Sequence, residues 1–311
     1  MARRGLALLA MTLLGCGGAE PAPTPTESPS LEGVALFPAD NPWNTRVDGD
    51  AVDPASDAIL ATVGLDTGLH PDFGANYDGG PFGIPFVVVG GAQPRIPVSF
   101  EYAEESDPGP YPIPEDVPIE GGSDSDGDRH IIVVDRDNHR LYELFAAYPD
   151  GDGWRAGSGA IFDLTSNALR PAGWTSADAA GLPILPGLAR YDEAVSAGGI
   201  RHALRFTVSR SRRAYVSPAR HFASSNTDPS LPPMGMRVRL KASVDITGYP
   251  PQARAVLQAL RTYGMIVADN GSNWFISGAP DARWDDDDLR TLRQIRGRDF
   301  EVVHMGPVTT D

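Results

Sequence analysis

The alternation of apolar and polar residues along the chain predicts a protein built mainly from β-strands. Stretches that alternate with a period of two, or that stay apolar for four to six residues, are typical of strands. They cover residues 84–89, 95–100, 129–135, 140–148, 157–164, 202–208, 214–217, 236–242, 265–268, 274–277 and 300–303. The pattern therefore predicts a mainly β fold, a single β-rich domain with sandwich or barrel-like sheets and a few short helices.

Helical periodicity is confined to short stretches. Residues 250–263 follow the 3.6-residue period and end before Gly264, a residue suited to a helix C-terminus. Residues 53–60 and 282–295 predict two further helices. The acidic run 285–288 starts the last of these, where the helix dipole favours negative charge, so we interpret it as a capping segment.

Two stretches predict β-hairpins. The first joins residues 129–135 to 140–148 through a turn with Asp137-Asn138 at its tip. The second joins 202–208 to 214–217 through the basic turn 209–213. Because no other stretch packs titratable groups so tightly among apolar ones, we expect the functional site at this second hairpin.

The first residues predict a targeting segment. Arg3 and Arg4 precede the apolar residues 6–14, which are too few for the roughly 20 residues of a bilayer-spanning helix. Leu13-Leu14-Gly15-Cys16 resembles the lipobox of bacterial lipoproteins, which implies cleavage before Cys16 and lipidation of that cysteine. We expect a signal peptide at 1–15, a flexible Pro/Thr/Ser-rich tether at 16–33 and the globular domain at 34–311.

The composition of the chain argues against several classes of binding partner. The net charge of −15 argues against a nucleic-acid partner and against docking on anionic lipid. Cys16 is the one cysteine in the chain, so no disulfide or thiolate metal site is possible. We expect a protein of the cell envelope, lipid-anchored and extracytoplasmic at the outer membrane or cell surface, which meets the membrane only through its lipid.

The body of the chain, from Asn41-Pro42-Trp43-Asn44 through the second predicted hairpin to residues 268–272, resembles a group of secreted bacterial proteins. This resemblance implies no catalytic mechanism for the chain. The nucleophile elbow G-x-S-x-G, the zinc motif H-E-x-x-H and the phosphate-binding P-loop are all absent from the sequence. Any chemistry must therefore be inferred from individual residues.

We expect an enzyme that acts on a polysaccharide or cell-envelope glycan, without a cofactor. Hydrolysis needs two carboxylates about 5 to 10 Å apart, and Glu143 and Asp163, each on an apolar strand face, are the candidates. A lyase instead needs a base and a cation that neutralises a uronic carboxylate. The candidates for these roles are His130, His202, Arg205 and His221. The acidic composition favours hydrolysis of a neutral or weakly charged glycan.

Substrate contacts are predicted from aromatic and polar side chains near these groups. The residues concerned are Trp174, Trp274, Tyr215, Asp269 and Asn270. Aromatic rings can stack on sugars, although tryptophans lie in the core more often. The alternative is a surface lipoprotein that binds a carbohydrate or another partner without catalysis, in which these histidines and carboxylates are structural.

The sequence contains two candidate metal sites. Asp124, Asp126 and Asp128 resemble the first half of a calcium loop, but the later glutamate is missing, so a solvated acidic loop is favoured. A non-thiolate site that combines Asp269 with one of the candidate histidines stays open.

Overall fold

The computed structural model describes residues 27–310. The predicted signal peptide, Cys16 and the first part of the tether lie outside these residues. The described part contains four short helices: α1 Ser56–Val63, α2 Tyr191–Ala194, α3 Pro251–Thr262 and α4 Asp286–Arg290. None of its helices is both long enough and apolar enough to span a bilayer.

Strands in several sheets make up most of the regular structure, which confirms the predicted β-rich class. The strands are β1 His70–Asp72, β2 Gly74–Tyr77, β3 Gly80–Phe82, β4 Val87–Val89, β5 Val98–Phe100, β6 Ile131–Asp135, β7 Arg140–Phe145, β8 Tyr148–Asp150, β9 Gly153–Ala156, β10 Ser158–Asp163, β11 Leu204–Val208, β12 Arg237–Leu240, β13 Met265–Asn270, β14 Phe275–Ser277 and β15 Phe300–Val302.

The largest sheet has six strands in the order β1-β14-β11-β13-β12-β15. Its central strands β11 and β13 run parallel and are apolar, with Leu204, Phe206 and Val267 fully buried. Helix α3 packs against β12, and Gly264 after it has a φ of 71°, a conformation that favours glycine. The predicted helix and its C-terminus are thus confirmed.

A second sheet has four strands in the order β10-β7-β6-β4. One face carries Ile132 and Leu141 into the main core, and the other carries Ile131 and Tyr142 into a smaller core. Strands β6 and β7 form the predicted hairpin in antiparallel register. A loop buried continuously from residue 180 to 190 packs against both this sheet and the six-stranded one.

The second predicted hairpin is wrong. Strand β11 pairs with β13 and β14, whereas Tyr215 on the expected return strand forms only isolated bridges to Met234 and Thr309. The physical reason is burial, because Leu204, Phe206 and Val208 on one face and Arg205 on the other are all buried, and a strand is covered on both faces at the centre of a sheet. The pattern identified the strand but not its partners.

The last predicted helix is shorter than expected. Helix α4 covers only Asp286–Arg290 and continues as a 3-10 turn over Thr291–Gln294. Asp285 caps it, accepting hydrogen bonds at 3.0 Å from the amides of Asp287 and Asp288. The interpretation of the acidic run as a capping segment is therefore confirmed.

Candidate functional site

Arg205 projects from β11 toward the buried 180–190 loop and faces two carboxylates. Its Nη2 lies 3.5 Å from Asp178 Oδ2 and 4.0 Å from Asp269 Oδ2. Its Nη1 donates to Ser277 Oγ at 2.9 Å. We call Asp178, Arg205 and Asp269 the Arg205 cluster. Since both carboxylate oxygens lie within 4.0 Å of one nitrogen, their separation cannot exceed twice that distance.

A β-bulge brings Asp269 to this cluster. Phe206 pairs with Val267, but Thr207 pairs with Asp269, so the register skips Ala268. Residues paired across two strands share a face, and Thr207 lies on the face of Arg205. The extra residue therefore turns Asp269 toward Arg205, where the regular register would have placed an alanine.

The Arg205 cluster has more carboxyl groups than cations, which favours a protonated carboxyl group within it. Burial raises the pKa of Asp178, the Arg205 charge opposes this rise and the Asp269 charge adds to it. Burial likewise raises the pKa of Asp269 against the opposing charge of Arg205. One guanidinium faces two carboxylates, and Asp178 Oδ2 is buried without a hydrogen-bond partner. This is the environment in which a carboxylic acid stays protonated near neutral pH.

The backbone of Ala179 binds the two partly exposed residues of this region, Asp269 and His221. Its amide donates to Asp269 Oδ2 at 3.2 Å, and its carbonyl accepts from His221 Nδ1 at 2.8 Å. Because a carbonyl only accepts, the proton of a neutral His221 ring lies on Nδ1 and Nε2 carries a lone pair. The side chains of Asp269 and His221 are 29% and 25% exposed, whereas that of Asp178 is 0% exposed. Solvent thus reaches the cluster on the Asp269 side.

Glu143 holds the 180–190 loop from the second sheet. Its carboxylate accepts from the amide of Ile184 at 2.8 Å and from that of Leu185 at 2.9 Å. Burial raises the pKa of Glu143 to about 7, although these two amides act in the opposite direction. The side chain is fully buried, so Glu143 supports the loop that follows Asp178 and does not itself face solvent.

His130 is held as a cation beside the same loop. Its Nδ1 lies 2.5 Å from Glu120 Oε2, and its Nε2 donates to the Ala177 carbonyl at 2.9 Å. Burial alone would lower the pKa of His130, but the Glu120 carboxylate raises it to about 9. Both ring nitrogens are engaged, so His130 has no lone pair for a metal or a proton.

The acidic loop before His130 is organised by an arginine. Arg129 Nη1 donates to the carbonyls of Ser123 and Ser125, at 2.7 and 3.0 Å. The Arg129 guanidinium therefore holds the backbone of this loop in place. Ligand atoms of Glu120, Asp128 and His130 lie within 4.8 Å of one another, but the His130 ring is already committed. This group of possible ligand atoms includes Asp128 but neither Asp124 nor Asp126.

The proposed carboxylate pair of a hydrolase is not brought together. Glu143 pairs with Ala160 across the sheet, whereas Asp163 pairs with Arg140. The alternation along β7 places Glu143 and Arg140 on opposite faces, so Asp163 and Glu143 also point away from each other. Asp163 instead forms a half-exposed ion pair with Arg140 at 2.7 Å.

His202 lies in a separate ionic group. Its Nδ1 donates to the Ala203 carbonyl at 2.8 Å, and its Nε2 lies 3.0 Å from Glu193 Oε2. Arg190 completes this group, donating to Glu193 Oε1 at 2.6 Å. His202 is buried and does not contact the Arg205 cluster, which corrects the expectation that it shares a site with Arg205 and His221.

Two of the predicted substrate-contact residues, Trp274 and Tyr215, lie in the core. Trp274 is fully buried and stacks on Phe206 and Phe300, with centroids 5.7 and 5.0 Å apart. Tyr215 is also buried. Asn270 donates to a backbone carbonyl and accepts from Ser211 Oγ. Trp174 alone of the three predicted aromatic residues is partly exposed.

Sequence reasoning missed Asp178 and the Glu120–His130 pair. The available signal for Asp178 was a carboxylate within the long apolar stretch 170–191, which is unusual unless the group is paired or functional. Nothing in the sequence connects Glu120 with His130, because the loop between them has no periodicity. Comparison of the chain with family models, curated proteins and solved structures found no match.

Proposed function

We propose that the protein is a glycan-cleaving enzyme that uses acid–base chemistry at the Arg205 cluster. The observation that carries the proposal is the arrangement around Ala179. Its amide and carbonyl hold Asp269 and His221 on the exposed side of a buried, charge-imbalanced group. Acid–base catalysis needs two groups whose environments favour opposite protonation states.

In hydrolysis, Asp269 acts as the general acid. Its raised pKa favours the protonated form, and in this step its proton passes to the glycosidic oxygen, which leaves as a hydroxyl group when the bond to the anomeric carbon breaks. His221 acts as the general base, because its Nε2 can take a proton from the attacking water. The oxygen of that water then bonds to the anomeric carbon.

Asp178 and Arg205 act on the protonation of Asp269 and do not touch substrate. The Arg205 charge acts against the raised pKa of Asp269. Asp178 competes for the same guanidinium, which weakens the neutralisation of Asp269. They are positioning residues for the acid, and Glu143 in turn fixes the loop that follows Asp178.

A second candidate is β-elimination at a uronic sugar. One observation favours it: within the described residues His221 Nε2 makes no hydrogen bond, the nearest carboxylate being Glu105 at 4.0 Å. A free imidazole nitrogen is suited to removing a proton next to a sugar carboxylate. The leaving oxygen would then take the proton of Asp269, and the product would contain a carbon–carbon double bond.

The location in the cell envelope belongs to the same proposal. It is supported by the lipobox-like residues 13–16 and the apolar stretch before them. A lipid anchor followed by a Pro-rich tether would hold the enzyme close to envelope glycans.

The test is a product screen on neutral and uronic polysaccharides. Asp269→Asn and His221→Gln should each reduce the rate at least about a hundredfold, as expected for the loss of a general acid or base. His202→Gln is the matched control, since it alters a buried histidine outside the cluster, and it should retain activity once folded. New reducing ends without ultraviolet absorbance indicate hydrolysis, and absorbance from unsaturated products indicates elimination.

Two outcomes contradict the proposal. If no polysaccharide in the panel is cleaved, the non-catalytic binding protein becomes the better interpretation. If cleavage persists in both Asp269→Asn and His221→Gln, the activity lies elsewhere in the molecule.

A further inference from the structure

A cavity of about 310 Å³ opens at the edge of the six-stranded sheet. Strand β1, the β2–β3 hairpin, helix α4 and the 3-10 turn after it form its walls. Its volume is at the lower end of the range of about 300 to 1,000 Å³ that is typical of small-molecule sites. The cavity is therefore large enough for one sugar ring.

Arg293 supplies a positive charge to this cavity. Its Nη2 donates to His70 Nε2 at 2.9 Å, and within residues 27–310 no carboxylate lies within 4.0 Å of its guanidinium nitrogens. Arg290, one turn earlier, differs because it pairs with Asp287 at 2.5 Å. Arg293 is therefore able to pair with the anionic group of a ligand, whereas Arg290 is already paired with Asp287.

His70 positions Arg293 without neutralising it. The ring stacks on Phe275 with centroids 3.9 Å apart and an angle of 5° between the planes. Burial and the neighbouring charge of Arg293 both lower the pKa of His70. The neutral ring accepts the hydrogen bond from Arg293, so its proton lies on Nδ1.

An aromatic wall faces this cation. Tyr77 and Phe82 lie on the β2–β3 hairpin with ring centroids 5.6 Å apart, and Tyr77 is 73% exposed. Asp286 ties the hairpin to α4, because its carboxylate accepts from the amides of Ala75 and Asn76 at 2.8 and 3.0 Å. The wall is thus fixed to the same segment that carries Arg293.

Asp72 links the cavity to the Arg205 cluster. It lines the cavity and pairs with Ser277 on β14, the residue whose Oγ binds Arg205. Asp72, Ser277 and Arg205 therefore lie on three adjacent strands, and two strand spacings of about 4.8 Å separate the backbones of Asp72 and Arg205. A chain of linked sugars is long enough to occupy both places.

We propose that this cavity binds the carboxylate-bearing ring of an acidic glycan, a uronic acid, and holds the polymer for cleavage at the Arg205 cluster. The inference rests on the proposed function. Arg293 meets the sugar carboxylate through a charge-assisted hydrogen bond. Tyr77 and Phe82 cover a face of the ring, and Asp72 accepts from sugar hydroxyls. The substrate is thus more acidic than the overall composition suggests.

The experiment compares sugars that differ only in the carboxylate. Binding of galacturonate, glucuronate, galactose and glucose to the full chain is followed by NMR titration. At least one uronate should bind about tenfold or more tightly than its neutral counterpart, since one charge-assisted contact of about 1.4 kcal/mol gives that factor. Arg293→Gln should abolish the preference, whereas Arg290→Gln should preserve it within about twofold.

The same titration with Asp269→Asn separates this inference from the proposed function. Uronate binding should persist in that variant, because Asp269 lies outside the cavity. Equal binding of uronates and neutral sugars, no binding of either, or an unchanged preference in Arg293→Gln overturns the inference, even if the wild type cleaves glycans. Conversely, selective uronate binding by a protein that cleaves no glycan supports the cavity and overturns the enzyme.

Discussion

The Arg205 cluster and the group formed by Arg190, Glu193 and His202 are both largely buried and both ionic, yet they differ in the number of carboxylates that share one guanidinium. In the first, one guanidinium faces two carboxylates. In the second, one carboxylate lies between a guanidinium and an imidazole. Burial opposes ionisation of Glu193, but Arg190 and His202 lower its pKa to about 2. Burial alone therefore does not set the direction in which a carboxylate pKa shifts, because the charged groups that face the carboxylate also contribute.

The two groups also differ in how completely their buried polar atoms are hydrogen-bonded. Arg190 donates to Glu193 and to the Leu185 carbonyl, and His202 donates to its neighbouring carbonyl. In the Arg205 cluster, Arg205 Nε and Asp178 Oδ2 are buried without partners. Unsatisfied buried polar atoms destabilise a fold, and they are concentrated where a protein sacrifices stability for function.

The largest expected effect comes from removing the cation of the cluster. Arg205→Met leaves two buried carboxylates uncompensated, so unfolding by urea at pH 8 should require about 3 to 5 kcal/mol less free energy than in the wild type. At pH 5 the loss should be smaller, because the carboxylates are protonated more readily once the cation is gone.

The control for that prediction is Arg140→Gln, which breaks the half-exposed pair with Asp163. It should change the free energy of unfolding by less than about 1 kcal/mol. An Arg205→Met loss that is the same at both pH values would show that the residue contributes packing and no charge.

The second effect concerns Glu193, and its pH dependence has the same direction but falls at lower pH. The pKa of Glu193 in the folded protein, about 2, lies below its ordinary value of 4.5, so its contribution is present above pH 4.5 and disappears as pH falls toward 2. Glu193→Gln should therefore cost about 2 kcal/mol at pH 6 and much less at pH 3. Urea unfolding at both pH values measures this, and a larger cost at pH 3 would contradict it.

The smallest effect concerns Glu143. Its pKa of about 7 lies above the ordinary value of 4.5, so the stability it contributes is present below pH 4.5 and is lost as pH rises through 7. Compared with the wild type, Glu143→Gln should gain about 1 to 2 kcal/mol in unfolding free energy between pH 5 and pH 8. Parallel pH profiles of the two proteins would refute a protonated Glu143.

The sequence was sufficient to predict the elements and several members of the site. Alternation located most strands and the β6–β7 hairpin, because those features depend on neighbours along the chain. It also identified Glu143, Arg205 and Asp269 as polar groups among apolar residues, and each of them lies at or beside the cluster.

The local sequence pattern could not predict which strands pair with each other. The bulge that turns Asp269 toward Arg205 depends on two strands distant in sequence, and period-two alternation is the same with either partner. Trp174 and Trp274 likewise look alike in sequence, although one is partly exposed and the other fully buried. Which tryptophan lies in the core follows from tertiary packing alone.

The strand order around β11 has a consequence for how the molecule matures. Its two neighbours, β13 and β14, are synthesised long after it, and such non-local pairing forms late in folding. During synthesis Arg205 remains hydrated and its future carboxylate neighbours titrate as ordinary acids. The raised pKa values of Asp178 and Asp269 thus depend on strand pairing that forms late in folding.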